Sequence, residues 1–370
     1  MGSFSKALTL IAHYLQKKED LSLSFDEKEA SFLFELGKNH SIAAFLNQAI
    51  EFVKPSFPKD IKEKFSSCYL QAVRKAVVFE KEYGSLKDYL NEAGIDYLPL
   101  KGLILKDYYP DPYEREFADH DILFFQEDDA EKIRDYFKGR GYEVEHFRKG
   151  NHDVYLKKPF LNFEMHRALF SKREDTASFA AYFFDPFSSA VQKEGMEYAF
   201  KDEDFYLYFL AHAFKHYDAG GAGIRMLLDT HLFLKGRNLD RDSLQKGLEK
   251  LGLVEFEKKL SSLSFRAFSG EELDEEEKKE LLYIGKAGTY GTIENSVEKQ
   301  VRKKGRFAYF MQRVFPPYSF YKEAYPWAYY SIILIPFAWL ARFFRILFRN
   351  PKKATNELKI IVKSQKEKED

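Results

Sequence analysis

Residues 115–125 read REFADHDILFF. Two carboxylates, Asp119 and Asp121, stand on either side of His120, and an apolar run follows at once. Side chains alternate between the faces of a strand, so the two aspartates share one face and His120 takes the other. Ile122 and Phe124 continue the histidine's face; Leu123 and Phe125 continue the aspartates' face. Two carboxylates this close repel unless a cation lies between them, and a divalent metal that prefers oxygen, Mg2+ or Mn2+, is the simplest answer. A solvated strand start, or a pairing of Asp119 with Arg115, would account for the same residues without a metal.

A third carboxylate lies in LNFEMHRAL, where Glu164 interrupts an apolar strand with Phe163 and Met165 on the opposite face. A lone strand glutamate is ordinarily just a residue on the solvated face. A neighbouring strand, however, would bring this one beside the aspartates, and three carboxylates can hold two metals in line with an attacking and a leaving oxygen. His166 shares the face of Glu164 and is suited either to orienting it or to meeting an acceptor; a half-buried strand histidine is the alternative. Arg167 follows it. In LPLKGLIL the strand ends at Leu100, and Lys101-Gly102 opens a helix, whose free N–H groups and positive end attract phosphate. Gly102 permits close backbone approach and Lys101 adds a point charge. An ordinary strand-to-helix turn would look the same.

A glycine, a helix, Asp-x-Asp on a strand and a third acid on a later strand resemble the DNA polymerase β-like nucleotidyltransferase superfamily. More specifically, LPLKGLILKDYYPDPYEREFADHDILF is similar to the uncharacterised bacterial nucleotidyltransferase family, which carries Leu-Lys-Gly, a Tyr-Pro segment, an arginine and then Asp-x-Asp-x-Leu. The likeness covers about 95–170, and more loosely 205–235. It implies an α+β fold, a polymerase β-like core of small mixed sheet and helices flanked by N- and C-terminal helical regions. It implies that Asp119, Asp121 and Glu164 are the catalytic, metal-binding triad and that Lys101 and Gly102 face the triphosphate in place of the superfamily's Gly-Ser. Arg115 matches the family's arginine, and His216, Arg225 and Asp229 match positions that line the nucleotide or acceptor pocket. An ion pair between Arg225 and Asp229, four residues apart on a helix, is the favoured alternative for those two.

The implied reaction is metal-dependent transfer of a nucleoside monophosphate from an NTP to an acceptor, with release of pyrophosphate. The NTP (ATP, GTP, CTP or UTP) and the acceptor (a small molecule, a sugar or a protein) are left open. An idle nucleotide-binding or regulatory module is the first alternative. The second is a metal hydrolase built on His212 and His216, which lie one helical turn apart in AHAFKHYDAGG.

The elements that must position these residues follow from periodicity. Residues 1–91 read as helices, the first an amphipathic one and the last ending at Gly94. Residues 92–170 alternate: strand IDYLPL, a helix ended by Pro110, strand FADHDILFF, helix QEDDAEKIRDYFKGRG, and strands YEVEHF, HDVYLKK and LNFEMHRALF. Residues 171–370 return to helix, with a turn at Gly220, Gly221 and Gly223 and a basic tail.

The 370 residues carry 58 basic and 58 acidic side chains, so no general nucleic-acid footprint is expected. The single cysteine, Cys68, cannot make an internal disulfide, and fits a reducing cytoplasm. Residues 324–341 are uncharged and rich in aromatics, and Arg342, Arg345, Arg349, Lys352 and Lys353 follow. An internal packed helix is the leading expectation there. Contact of 324–353 with a membrane surface, and a membrane span, are the alternatives.

Overall fold

The structure, a computed structural model, describes residues 2–20, 22–172 and 176–288, and between 295 and 349 residues 295, 297, 301, 305–316, 318, 320–321 and 325–349. The chain forms two compact units, Met1–Lys215 with Ala222–Thr289, and His216–Gly221 with Tyr290–Asp370.

The first unit opens with four helices: α1 (Gly2–Leu15), α2 (Glu27–Asn39), α3 (Ala43–Val53) and α4 (Lys59–Glu92). A reciprocal capping box between Asp26 and Glu29 starts α2. Pro58, with φ near −59°, leads into α4, and Gly94, with φ of +65°, takes the chain out of it as expected. Phe79, Leu86 and Leu90 on α4 join the core under the sheet.

That sheet holds β1 (Tyr97–Pro99), β2 (His120–Phe124), β3 (Glu143–Glu145), β4 (His152–Lys157) and β5 (Leu161–His166), in the order β1-β2-β5-β4-β3. All five strands expected from the sequence are present, in a mixed sheet flanked by helices, as the resemblance implies. Only β2 and β5 run parallel. The chain passes from β2 to β5 by way of helix α6 (Ala130–Gly139) and the β3–β4 hairpin; the short helix α5 (Gly102–Leu105) lies between β1 and β2.

The two faces of the sheet differ sharply. Ile122, Phe124, Phe163, Met165 and Tyr155 point to a buried cluster completed by Phe79 of α4 and Ile133 and Phe137 of α6. Each ring buried there contributes about 1.5–3 kcal/mol. His120 belongs to this face as the alternation predicts. It stacks on Phe79 at 4.3 Å, and burial drives its pKa down to about 3, so it is a neutral spacer. The opposite face carries Asp121, Glu164, His166 and His152, which are register partners across three strands.

Helices α7 (Ala177–Tyr182), α8 (Asp202–Gly220), α9 (Ile224–Gly236), α10 (Arg241–Leu251), α11 (Val254–Ser269) and α12 (Glu275–Ala287) follow, with a small ribbon of β6 (Val191–Gln192) and β7 (Tyr198–Ala199) beside β1. The expected glycine turn separates α8 from α9. Gly223 is required there because a Cβ would stand 2.5 Å from Nδ1 of His40. That ring accepts from the Ile224 N–H and donates through Nε2 to the Gly285 carbonyl, and burial holds its pKa near 4.

The second unit holds α13 (Arg306–Val314), α14 (Pro326–Tyr329) and α15 (Ile335–Arg349), and Ala328 of α14 and Ala338 of α15 form a small core with Tyr321 and Tyr325. Of the 324–341 stretch, the described residues 325–341 are therefore not the single packed helix expected. They are broken between α14 and α15, and Tyr330, Ile333, Phe337 and Leu340 are exposed. Among the described residues no helix is long and apolar enough to cross a membrane. Ala324 and the tail from 350 onward, with Lys352 and Lys353, lie outside the described residues.

One buried carboxyl makes the first unit pH-sensitive. Glu114 has no exposed surface and accepts from the Tyr14 hydroxyl of α1; burial pushes its pKa up to about 8. The folded chain therefore holds a proton that the unfolded chain has lost, and stability falls as pH rises from about 4.5 to about 8. Glu114→Gln should remove that slope and raise stability above about pH 8 by an amount on the order of a few kcal/mol. Thermal melts between pH 5 and pH 9 check this; equal slopes for the two proteins would contradict it.

Candidate active site

The polar face of the sheet is built around Asp121. Its Oδ1 receives Lys101 Nζ at 2.7 Å and lies 2.8 Å from His166 Nε2. The β2–β5 register sets Asp121 directly beside Glu164, whose Oε2 lies 3.6 Å from the same His166 nitrogen. Burial alone would raise Asp121, but Lys101 and His166 outweigh it and hold the carboxyl well below its ordinary range. Burial would lower Lys101 and His166; Asp121 more than offsets this for Lys101, and Asp121 with Glu164 for His166, so both are raised. Burial would raise Glu164, yet the His166 bond together with the charges of His152 and His166 outweighs it and the carboxyl is lowered.

Lys101 reaches Asp121 from a turn with φ of +44°, the left-handed region that a lysine seldom adopts. Such strain persists where surrounding contacts over-determine it. Here the Leu100 N–H bonds the Asp121 carbonyl at 3.0 Å, and α5 begins at the next residue, so the turn aims the ammonium back across β2.

Asp119 lies one residue before β2, on the Asp121 side. Its carboxylate has no hydrogen-bond or ion-pair partner among the described residues. Burial, and then Asp121, push its pKa up to about 6 against the opposing charge of Lys101. Arg115, the partner considered for it in a metal-free reading, is engaged elsewhere. Its Nε and Nη2 donate to the two oxygens of Asp229, both at 2.9 Å, and Tyr109 donates to Oδ1 of the same carboxylate at 2.9 Å. The expected Arg225–Asp229 helical pair is therefore not formed. A buried bidentate guanidinium wins Asp229, and Arg225 donates from Nη1 to the Glu116 carbonyl at 2.8 Å instead. From there its charge still lowers Asp119.

Gly102 has a structural reason as well as the expected one. A Cβ on it would lie 2.7 Å from Nη1 of Arg115, the guanidinium nitrogen that makes no hydrogen bond among the described residues. Lys101, Gly102, Arg115, Asp119, Asp121, Glu164, His166 and Arg225 thus belong to one neighbourhood of the first unit. His216 belongs to the second unit, one turn after His212 on α8. Arg167 pairs with the fully buried Asp153 at 3.3 Å, away from the carboxylates.

Three neighbours were not singled out in the sequence. His152 of β4 lies opposite His166, with its Nε2 3.7 Å from Glu164 Oε2. Tyr208 of α8 is buried where its hydroxyl feels Lys101 and Asp121. Lys75 of α4 donates to the Phe117 carbonyl at 2.7 Å, feels the charge of Asp119, and lines a cavity of about 310 Å³ with Lys38, Gln71 and Glu116. The strand signal at HDVYLKK could have pointed to His152. Nothing local could have pointed to the other two.

The residue types suit a divalent cation, although among the described residues the three carboxylates do not by themselves form a cluster of ligand atoms. Asp119 is a half-buried carboxylate without a partner, beside a second carboxylate and near a third, and all offer hard oxygen donors. Among the described residues, the grouping of three or more metal-ligating side chains is His152, Glu164 and His166; His212 and His216 belong to none. The hydrolase alternative thus finds no third ligand among the described residues.

A family model described as uncharacterised nucleotidyltransferase matches residues 26–268. No curated protein matches the sequence.

Since the folded pKa of Asp119 stands above the unfolded value, stability falls as pH rises from about 4 to about 6. Metal-free Asp119→Asn should therefore be more stable than the native chain near pH 7.5, by about 1–3 kcal/mol, and lose the advantage near pH 4. Urea unfolding at the two pH values measures it; a destabilised variant at both would contradict the placement of Asp119.

Proposed function

Because the chain belongs to the uncharacterised nucleotidyltransferase family, we propose that it transfers a nucleoside monophosphate from an NTP, ATP among them, to an acceptor hydroxyl on a small molecule, sugar or protein. The observation that carries this is the β2–β5 register, which pairs Asp121 with Glu164 two residues along the chain from the unpartnered Asp119.

In this proposal Asp119, Asp121 and Glu164 hold Mg2+ or Mn2+, which when bound would offset charge on the phosphate oxygens and orient the α-phosphorus. The acceptor oxygen forms a bond to the α-phosphorus as the bond to the pyrophosphate oxygen breaks. Glu164 takes the acceptor's proton, directly or through His166. Lys101 and the free Nη1 of Arg115 beside Gly102 neutralise the triphosphate, and Arg225 supports them from the Asp119 side. His216 is proposed as a further nucleotide contact on the family likeness alone. Catalysis then rests on positioning and charge neutralisation.

Each α-labelled NTP, incubated with Mg2+ or Mn2+ and cell extract, should yield a labelled acceptor. Asp121→Asn should lower that yield at least about a hundredfold. Nucleotide binding without any labelled product would favour the idle module, and unchanged yield in the variant would overturn the triad.

We also propose a cytoplasmic protein that touches anionic membrane surface weakly through 324–353. The supporting observation is the exposure of Phe337, Leu340, Phe343 and Phe344 on α15, beside Arg342 and Arg345. Apolar and basic side chains together favour an anionic interface. Flotation should recover the chain with phosphatidylserine vesicles, less so at high salt or as the Phe337→Asp, Phe344→Asp double variant. Equal recovery with neutral vesicles, or none with anionic ones, would contradict the proposal.

A further inference from the structure

The antiparallel pairing of β4 with β5 sets His152 opposite His166, and the β5 alternation sets Glu164 on the same face two residues before His166. Glu164 Oε2 lies 3.7 Å from His152 Nε2 and 3.6 Å from His166 Nε2. One donor atom from each of the three side chains lies within 4.8 Å of the others. Tetrahedral bonds of about 2.0–2.1 Å hold ligand atoms about 3.4 Å apart, so donor atoms within 4.8 Å of one another need draw together by about 1.4 Å at most to close on an ion.

We propose that His152, Glu164 and His166 bind a transition-metal ion of the zinc class, at a position adjoining the oxygen-lined site of Asp119 and Asp121. Two imidazoles and one carboxylate favour Zn2+, Fe2+ or Co2+ over Mg2+, which takes oxygen and holds its water. His166 is 4% exposed, so its side chain is aimed into the protein. The Nδ1 atoms of both rings are buried without a hydrogen-bond partner among the described residues. Each ring can therefore carry its proton on Nδ1 and present the Nε2 lone pair to the ion. In that state the ion takes the place of the His166 Nε2 proton that otherwise bridges Asp121 and Glu164. Asp121 Oδ1, 2.8 Å from His166 Nε2, is the nearest further oxygen donor.

The site shares Glu164 with the proposed transfer centre. It stands on the histidines, however, and holds whether or not Asp119 and Asp121 turn over a nucleotide.

The test is equilibrium dialysis of the full chain against Zn2+ with excess Mg2+, followed by zinc K-edge X-ray absorption. One zinc should be retained, with outer-shell scattering from two imidazoles. His152→Ala should leave one imidazole and weaken zinc at least about tenfold, the lower end of what loss of a merely supporting residue costs. Asp119→Asn should leave the spectrum unchanged. His152→Gln replaces the alanine variant should that one not fold. The inference is overturned if zinc is not retained against Mg2+. It is also overturned if the native spectrum lacks imidazole, or if the imidazole signal survives unchanged in the His152 variant, as zinc on His212 and His216 would give. Nucleotide binding with Mg2+, measured on the same samples, separates failure of this site from failure of the transfer reading.

Discussion

A carboxylate removed from water must be compensated, and the first unit is arranged around that requirement at Asp121. It is 4% exposed and sits between an ammonium at 2.7 Å and an imidazole at 2.8 Å. Leaving such a charge unpaired would cost several kcal/mol. The partners come from different elements, Lys101 from the strained turn after β1 and His166 from the end of β5. The charge therefore ties the turn, β2 and β5 together. The apolar face of the sheet fixes where β2 and β5 run, and the polar face uses that fixed register. Phe163 and Met165 bury themselves beneath α4 and α6, and Glu164 between them can only point the other way.

A second buried charge does comparable work at the edge of the site. Arg115 and Asp229 are 114 residues apart, and their bidentate pair, with Tyr109, fastens the segment before β2 to α9. The tight approach of the guanidinium to Gly102 then couples this fastening to the turn that carries Lys101. Positioning residues and proposed phosphate contacts are thus the same side chains. Three nitrogens allow one guanidinium to serve both purposes, whereas a lysine at 115 would have a single ammonium to divide.

Strands and helices around the site were legible because they follow local rules. The alternation in HDILF assigned His120 to one face and the aspartates to the other, and the stacking of His120 on Phe79 agrees. Glycine stops at 94 and around 221 behaved as punctuation. The neighbourhood of Glu164 and Asp121 was legible from the strands only as one option and was selected by the family resemblance, since register between distant strands leaves no local mark. Tyr208 and Lys75, on helices that pack from elsewhere in the chain, leave no local mark of the site either, and His152 was legible only as a strand residue. Periodicity also misread 324–341, where an uncharged stretch looked like packed helix. Apolar composition alone does not reveal whether the rest of the chain supplies a partner face. The Arg225–Asp229 pair failed because spacing of four says which side chains can meet and not which competitor is nearer.

The proposed function requires a nucleotide's phosphates to sit within a few ångströms of an ion held by Asp121. That distance is measurable through the relaxation that bound Mn2+ imposes on the 31P resonances of a non-hydrolysable NTP analogue. The α-, β- and γ-phosphorus signals should all broaden strongly in the native chain, and the broadening should vanish in Asp121→Asn while the fold is retained. Broadening that is absent in the native chain, or that persists unchanged in Asp121→Asn, would contradict the assignment of Asp121 as the anchor of the site.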